Sequence, residues 1–293
     1  MAQPGSLAGE FEQHRVHLRA VAYRILGSLS EADDAVQDAW LRLSGADTSE
    51  VENLGGWLTT VVARVALNML RSRNTRRELP LDVHVPDPII DPADGASPEH
   101  EALLADSVGL ALLVVLETLT PPERLAFVLH DMFAVPFEEI ATILERSPEA
   151  ARQLASRARR RVRGAAPTPD ADLGAQRAAA DAFLAATREG DFDALVAVLD
   201  PDVVLRADGG AVAGLSHRIQ GAETVAGGAI TFSRVGLTVH HALVNGTAGL
   251  VATRDGELFS VMGLTVTGGR IVEINILADP ERLRRLDVAI LGG

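Results

Sequence analysis

Arginine is concentrated in one short stretch near the middle of the sequence. Residues 152–163 contain no acid and six arginines, at positions 152, 157, 159, 160, 161 and 163. A guanidinium group is charged at every physiological pH and forms paired hydrogen bonds with phosphate oxygens, so this stretch favours binding to a nucleic-acid backbone. A charge run by itself is more often only a solvated helix face, and the surrounding sequence has to decide between the two.

The elements around this stretch predict a helix-turn-helix. A first helix carries an apolar stripe at i, i+3, i+4 and i+7 spacing, and a second begins at Pro148 after a capping Ser147. The alanines, Leu154 and Val162 of the second helix share one face, so the opposite face is free to meet DNA. The candidate DNA-contacting side chains on that face are Arg152, Ser156, Arg159, Arg160 and Arg163.

A second basic helix is predicted over residues 55–77. Leu58, Val61, Val62, Val65 and Met69 form its inward stripe. Phosphates are held by arginine and bases are reached by polar side chains, which makes the opposite face a second nucleic-acid candidate. Its residues are Arg64, Asn68 and Arg71, followed at the helix end by Arg73, Arg76 and Arg77.

The helix before it, predicted from a capping Ser30 to about Leu43, has an acidic outer face. Asp34, Gln37, Asp38 and Leu41 lie opposite the apolar stripe, so that one apolar side chain sits among acids. One interpretation is a solvated face with a single exposed leucine, which is common. The other is a docking face for a basic partner helix.

Composition narrows the classes of function. The net charge is −13, all 27 basic residues are arginine, and there is no cysteine. Indiscriminate coating of nucleic acid, disulfide frameworks and thiolate metal sites are therefore not expected, and the histidines have no metal-ligand spacing. The sequence shows neither a signal peptide nor an apolar run of about 18 residues, so we expect a cytoplasmic protein with no membrane contact and no cofactor.

Two further regions follow a different pattern. Residues 79–107 hold five prolines, seven acids and no base, which is typical of a linker. A second linker is predicted over 165–174. After it come two helices, near 175–189 and 191–199, and then alternating strand patterns separated by turns such as Asp255-Gly256 and Gly268-Gly269. Helices followed by strands predict an α+β domain.

Three stretches in this order resemble the extracytoplasmic-function (group IV) sigma factors of bacterial RNA polymerase. They are SEADDAVQDAWLRL, GGWLTTVVARVALNMLRSRNTRRE and the long stretch from LETLTPPERL to RARRRVR. The resemblance implies a polymerase-docking helix for the β′ clamp helices, a −10 reader and a −35 reader. It implies a region 2 domain over 1–78, an acidic linker over 79–107 and a region 4 domain over 108–164. Both domains are expected to be all-α, and the partners would be the polymerase core and promoter DNA.

Residues 175–293 resemble the SnoaL-like, cone-shaped domains of the NTF2-like superfamily. Together with the sigma regions this points to the sigma-J-like group, in which the appended domain regulates the sigma factor in cis. Asp208-Gly209-Gly210 matches part of a DGGGR-like motif, Asp279-Pro280 begins a loose match to NPDKL, and Val85-Pro86-Asp87-Pro88 stands where a WLPEP-like motif is common. The resemblance implies an interdomain regulatory role for Asp208, Gly209, Gly210, Asp279 and Pro280.

Two alternatives stay open at this point. One is a one-component regulator whose cone cavity binds a small molecule and whose helix-turn-helix binds an operator without polymerase. The other is a bifunctional protein, because SnoaL relatives include enzymes and an acid and a base are available among Asp208, His217, His240, His241 and Asp279. His240 and His241 are adjacent in a predicted strand and so point to opposite faces. We expect no enzyme.

Overall fold

The computed structural model describes residues 7–45, 51, 53–76, 83–104, 109–212 and 214–286. The chain forms two compact units. The first contains Met1–Glu78, Ala102–Asp106 and Val115–Ala165, and the second contains Leu79–Glu101, Ser107–Val114 and Ala166–Gly293. Within the described ranges, no helix combines the length and the apolar character needed to cross a membrane.

Three long helices begin the first unit: α1 (Leu7–Leu26), α2 (Leu29–Ser44) and α3 (Leu54–Arg76). Gly27 ends α1 with a φ of 69°, as its position in the sequence indicates. The predicted cap of α2 was wrong by two residues, because the Ser28 hydroxyl, and not that of Ser30, accepts the amide of Glu31 at 3.4 Å. Helix α2 therefore begins earlier than predicted and keeps the predicted buried stripe from Ala32 to Leu43.

Shorter helices complete this part of the chain. They are α4 (Pro98–Leu104), α5 (Leu110–Glu117), α6 (Pro121–Phe127), a π-helical turn (Val128–Met132), α7 (Phe137–Leu144) and α8 (Pro148–Ala165). The predicted helix-turn-helix is confirmed in α7 and α8. Glu145 adopts a left-handed φ of 55° at the turn, and the Ser147 hydroxyl accepts the amide of Ala150 at 3.2 Å.

Helix α3 packs against α6 and α7 in the first unit, and charged groups are buried among these helices. The side chains of Glu117 and Arg124 are each 2% exposed and form an ion pair. Arg124 also donates to the carbonyl of Arg24 on α1 at 3.4 Å, and Arg73 on α3 approaches Glu117 at 3.9 Å. Burial of charge is tolerated here because each of these groups meets an opposite charge or a carbonyl.

The second unit is the α+β domain that the sequence predicts. Its described strands form one sheet in the order β1-β4-β5-β6-β7-β2-β3, with β2 and β7 parallel and the other neighbours antiparallel. The bounds are β1 (Ile90–Pro92), β2 (Leu199–Asp208), β3 (His217–Gln220), β4 (Thr238–Val244), β5 (Thr247–Arg254), β6 (Glu257–Thr267) and β7 (Arg270–Leu277). The helices of this unit are α9 (Leu173–Glu189), α10 (Phe192–Val198), α11 (Ala222–Ser233) and α12 (Pro280–Leu283).

The two faces of the sheet have different coverings. Helices α9, α10 and α11 pack on one face, where Phe183, Leu195 and Val225 meet Leu264 and Ile274. The opposite face carries a second apolar cluster. Some of its residues precede position 175, where the sequence predicts that the domain begins. These residues are Val85, Ile90 and Leu110, and they join Ala242, Val244, Val251, Val261, Leu277, Leu283 and Leu286.

We call residues 83–92 the strap. The linker composition of this region favoured a solvated tether, but strap residues Val85, Ile89, Ile90 and Asp91 are buried in the second unit. The strap includes β1, which pairs antiparallel with β4 so that Ile90 lies opposite Val244. The side-chain amide oxygen of Asn245 accepts the Ile89 amide at 3.1 Å. The prolines of the strap do not prevent this, because an edge strand needs only some of its amides for pairing.

Removal of one buried charge should destabilise the helical unit. We expect Arg124→Met to lower the free energy of unfolding by about 3–5 kcal/mol, because Glu117 then stays buried without its ion pair to Arg124. The double variant Glu117→Leu/Arg124→Met should recover most of that loss. Urea unfolding followed by circular dichroism measures both, and Arg42→Met, which removes an exposed pair with Asp38, is the control, with a change below about 1 kcal/mol. An Arg124 variant as stable as this control would contradict the assignment.

Candidate functional site

The predicted docking face of α2 is available at the surface of the first unit. Asp34, Gln37 and Leu41 are exposed, and Leu41 is the most exposed of the large apolar side chains, at 61%. Asp38 is partly exposed and pairs with Arg42 at 3.0 Å. The face therefore offers an apolar side chain surrounded by carboxylates, which can receive a basic partner surface with an apolar patch.

The basic face of α3 is partly engaged by the protein itself. Arg64, Asn68 and Arg71 are exposed, and Arg64 donates to the carbonyl of Thr142 on α7 at 3.4 Å. Arg73 is more strongly held: it donates to the carbonyl of Leu26 at 3.0 Å and pairs with Glu31. The side chain of Arg76 and all of Arg77 lie outside the described residues.

The basic face of α8 is more open. Arg152, Ser156, Arg160 and Arg163 are exposed, whereas Arg159 pairs with Asp131 at 2.7 Å. The guanidinium of Arg152 lies over the ring of Phe137, 5.1 Å from its centroid. Such a contact restrains a long side chain without neutralising its charge, so Arg152 stays competent for a phosphate or a base.

Two arginines of the run hold α8 in place. Arg157 and Arg161 pair with Glu123 of α6 at 3.1 and 3.2 Å. Burial alone would raise the pKa of Glu123, but hydrogen bonds from Thr120 and Arg157 and the charge of Arg161 together lower it. The arginine run thus has two kinds of member, and only tertiary structure separates those that fix the helix from those that face outward.

A polar cluster fastens the strap to the second unit. The Oδ2 atom of Asp208, at the end of β2, accepts the Val85 amide at 3.0 Å and contacts His84 Nδ1 at 3.0 Å. Arg282, in α12, donates to the same oxygen at 2.8 Å, to the Val85 carbonyl at 2.6 Å and to Asp87 Oδ1 at 2.7 Å. The Asp208 carboxylate and the Arg282 guanidinium therefore hold three residues of the strap, His84, Val85 and Asp87.

The carboxylate at the centre of this cluster is ionised. Burial alone would raise the pKa of Asp208, but the hydrogen bond from His84, the charge of Arg282 and the Val85 amide outweigh it and lower the pKa to about 2. Because the pKa in the fold lies below the ordinary value of 3.8, the ionised form stabilises this contact. The contribution is complete above about pH 4 and is lost as the pH falls toward 2.

The residues predicted as interdomain regulators are adjacent in space. Gly210 has a φ of 59° and its amide donates to Asp208 Oδ1 at 3.1 Å. A Cβ at Gly210 would collide with the carboxylate of Asp279, so only glycine permits this approach. Asp279 caps α12 by accepting the amide of Glu281 at 2.9 Å, and Pro280 is the first residue of α12. These residues place Arg282 against Asp208.

Sequence reasoning did not assign His84, Asp87 or Arg282 to a site. The signal was present, because Asp87 stands in the Val85–Pro88 motif and Arg282 in the motif that begins at Asp279. What the sequence lacks is any indication that residues 195 positions apart form an ion pair.

The candidates for an acid and a base do not meet in the cone. His240 lies opposite Val251 and His241 opposite Leu250, so the two histidines point to opposite faces as predicted. His241 pairs with Asp181 at an exposed site. His217 is exposed at the start of β3, and Asp208 is committed to the strap. An apolar cluster lies between the helices and the sheet, and the buried Gln176 of α9 accepts the Ala248 amide of β5 beside it at 2.9 Å.

Comparison with protein families divides the chain in the same way as these surfaces do. Residues 11–76 match the family Sigma-70 region 2, and this range contains the predicted docking face of α2 and the basic face of α3. Residues 109–162 match the family Sigma-70, region 4, which contains the helix-turn-helix.

Relatives extend the match to nearly the whole chain. The chain is 38% identical over 288 residues to the ECF RNA polymerase sigma factor SigJ of Mycobacterium tuberculosis, a match that covers 93% of this chain and 92% of SigJ. It is 33% identical to the probable ECF RNA polymerase sigma factor SigI of the same species, over 100% of both chains. The crystal structure of M. tuberculosis SigJ superimposes with a TM-score of 0.76 at 33% identity and covers 96% of this chain and 99% of that one. With two matching sigma regions, an appended α+β domain and these relatives, the chain belongs to the extracytoplasmic-function sigma factors of RNA polymerase.

Proposed function

We propose that the chain binds the RNA polymerase core through the outer face of α2 and directs initiation through α3 and α8. Asp34, Gln37, Asp38 and Leu41 contact the core. The observation that carries this assignment is the exposed acidic face of α2 with Leu41, 61% exposed, at its centre, on a helix inside the range that matches Sigma-70 region 2. Arginine supplies the phosphate contacts to both promoter elements.

We further propose that the described structure is a resting form. Arg64, Arg73 and Arg159, three of the candidate DNA contacts, are bound here to protein oxygens. Promoter phosphates have to displace those oxygens, and the packing of α3 against α6 and α7 has to open for the two readers to reach separate elements. Polymerase binding supplies the free energy for this change through its contacts with α2.

The appended domain regulates the sigma factor by holding the strap. In the chain, the strap lies between α3 and the helix-turn-helix, so it belongs to the segment that has to extend when the two readers separate. When Asp208 and Arg282 hold the strap against the sheet, the strap residues cannot lengthen the connection between α3 and the helix-turn-helix. We propose that the clamped strap keeps the sigma factor at rest and that the domain acts as a regulator and not as an enzyme.

Leu41 should be required for core binding. We expect Leu41→Glu to weaken the affinity for purified core polymerase by about ten-fold or more, because it removes the apolar contact and adds a charge to a face that already holds carboxylates. Run-off transcription from a cognate promoter should fall in parallel. Val16→Glu is the matched control, since Val16 is also an exposed apolar residue, at 42%, on α1. Equal losses in the two variants would show that Leu41 has no special role.

Release of Arg73 from its ion pair with Glu31 should strengthen promoter binding. Glu31→Gln removes a carboxylate that pairs with Arg73, so we expect the chain–core complex to bind a promoter fragment about two- to five-fold more tightly, the size of a partly exposed ion pair. Fluorescence anisotropy measures this, and Glu12→Gln, which breaks the exposed pair with Arg15, should leave the affinity unchanged. Weaker binding by the Glu31 variant would show that the pair supports the DNA-bound form.

Neutralisation of Asp208 should release the strap. Asp208→Asn removes the carboxylate charge that His84, Arg282 and the Val85 amide stabilise, so the contact should lose about 2 kcal/mol at neutral pH, and amides of residues 84–90 should exchange about thirty-fold faster. Run-off transcription should rise. The control is Asp202→Asn, an exposed carboxylate on the same strand. Unchanged exchange would refute the clamp, and faster exchange with unchanged transcription would refute its regulatory role.

A further inference from the structure

The second unit contains an apolar cleft of about 480 Å³ that has no part in the proposed function. It is walled by the loop after β2, the beginning of β6 and the segment around α12. Its lining residues are Val212, Leu215, Glu257, Leu258, Phe259, Ala278, Pro280, Leu283, Arg284 and Leu286. A volume between about 300 and 1,000 Å³ with mostly apolar walls and few polar groups is that of a small-molecule site.

Apolar side chains of the cleft are open to solvent. Val212 is 41% exposed, and Leu215, Leu258 and Phe259 are partly exposed. Leaving such side chains in water is unfavourable by roughly 25 cal/mol for each Å² of apolar surface. Several of them around one concave surface indicate a place that is covered part of the time.

The wall of the cleft carries one cation, Arg284, and one carboxylate, Glu257. Among the described residues no carboxylate forms an ion pair with Arg284. Arg254 lies over the ring of Phe259 at 4.5 Å and stands directly across the β5–β6 hairpin from Glu257. Glu257 therefore has a cation opposite it in the register, and Arg284 is the group in the cleft that can attract an anion.

The walls of the cleft are the same segments that hold the strap. Val212 and Leu215 belong to the loop that begins at Asp208, where Leu215 packs directly over Gly209. Pro280, Leu283 and Arg284 flank Arg282 in sequence. A molecule that enters the cleft therefore presses on both the Asp208 side and the Arg282 side of the strap contact.

We propose that this cleft binds a small amphipathic carboxylate, with its apolar body between Leu215, Leu258 and Leu283 and its carboxylate on Arg284, and that occupancy alters the hold on the strap. The regulatory half of this proposal rests on the proposed function, whereas the binding half does not. This site lies outside the cluster between the helices and the sheet, where an enzyme of the cone-shaped class would hold its substrate.

The binding half is tested on the full chain without polymerase, with sodium decanoate as the probe in isothermal titration calorimetry. Decanoate should bind, decanol should bind at least about ten-fold more weakly, and Arg284→Gln should cost a similar factor, because a charge-assisted hydrogen bond is lost. Val212→Trp, which fills the mouth of the cleft, should abolish binding. The control is Arg270→Gln, an exposed arginine at the start of β7, which should bind as the unchanged chain does.

Three results would overturn the binding proposal: no binding of decanoate, equal binding by the Arg284 and Arg270 variants, or binding that survives Val212→Trp. A fourth is self-association of the chain that Val212→Asp abolishes while decanoate has no effect, which would assign the cleft to a second copy of the chain.

The regulatory half is read from amide exchange of the strap. Saturating decanoate should change exchange of residues 84–90 by at least about five-fold in the unchanged chain and in Arg270→Gln, but not in Val212→Trp. Binding without any change in exchange would refute the coupling and leave the site itself standing. Because neither readout uses polymerase, a failure of promoter-directed transcription would count against the proposed function alone.

Discussion

The second unit depends on one buried carboxylate. Asp208 is 1% exposed and stays ionised, because strap and α12 groups surround it with donors. Without the strap, the same oxygen would keep Arg282 but lose the His84 and Val85 contacts, and the apolar cluster around Val85 and Ile90 would lose part of its cover. A buried charge without its partners costs several kcal/mol, so the strap and the domain stabilise one another and separate only when something compensates.

The first unit shows the same principle with the signs exchanged. There carboxylates pair with some of the arginines proposed to bind DNA: Glu31 and Glu117 lie at Arg73, and Asp131 lies at Arg159. The other proposed contacts, Arg152, Arg160 and Arg163, are exposed, and water solvates their charge. Under the proposed function, acids of a chain with a net charge of −13 serve as local counter-charges for part of its DNA-binding surface.

Local patterns predicted most of the elements, and long-range pairing explains what they missed. The helix-turn-helix and the strands β2, β4, β5, β6 and β7 follow from periodicity and turn chemistry, as at Asp255-Gly256. Periodicity also predicted the exposed face of α2, whose docking role stays a prediction. Helix α11 was missed because Gly227 and Gly228 interrupt it, and β3 because it is only four residues long. The strap looked like a tether because its prolines and acids suit solvent, whereas their partners, Arg282 and Asn245, lie more than 150 residues away.

Under the proposed function, the strap has to leave the sheet before the sigma factor can direct transcription initiation. Because the chain contains no cysteine, Ile90→Cys/Val244→Cys places a single cross-strand pair between β1 and β4, within the reach of a disulfide. Run-off transcription by core polymerase with the oxidised variant should be at least about ten-fold lower than with the same protein after reduction, a difference of about 1.4 kcal/mol or more. Equal transcription by the oxidised and the reduced protein, with the disulfide verified by mass spectrometry, would contradict the account.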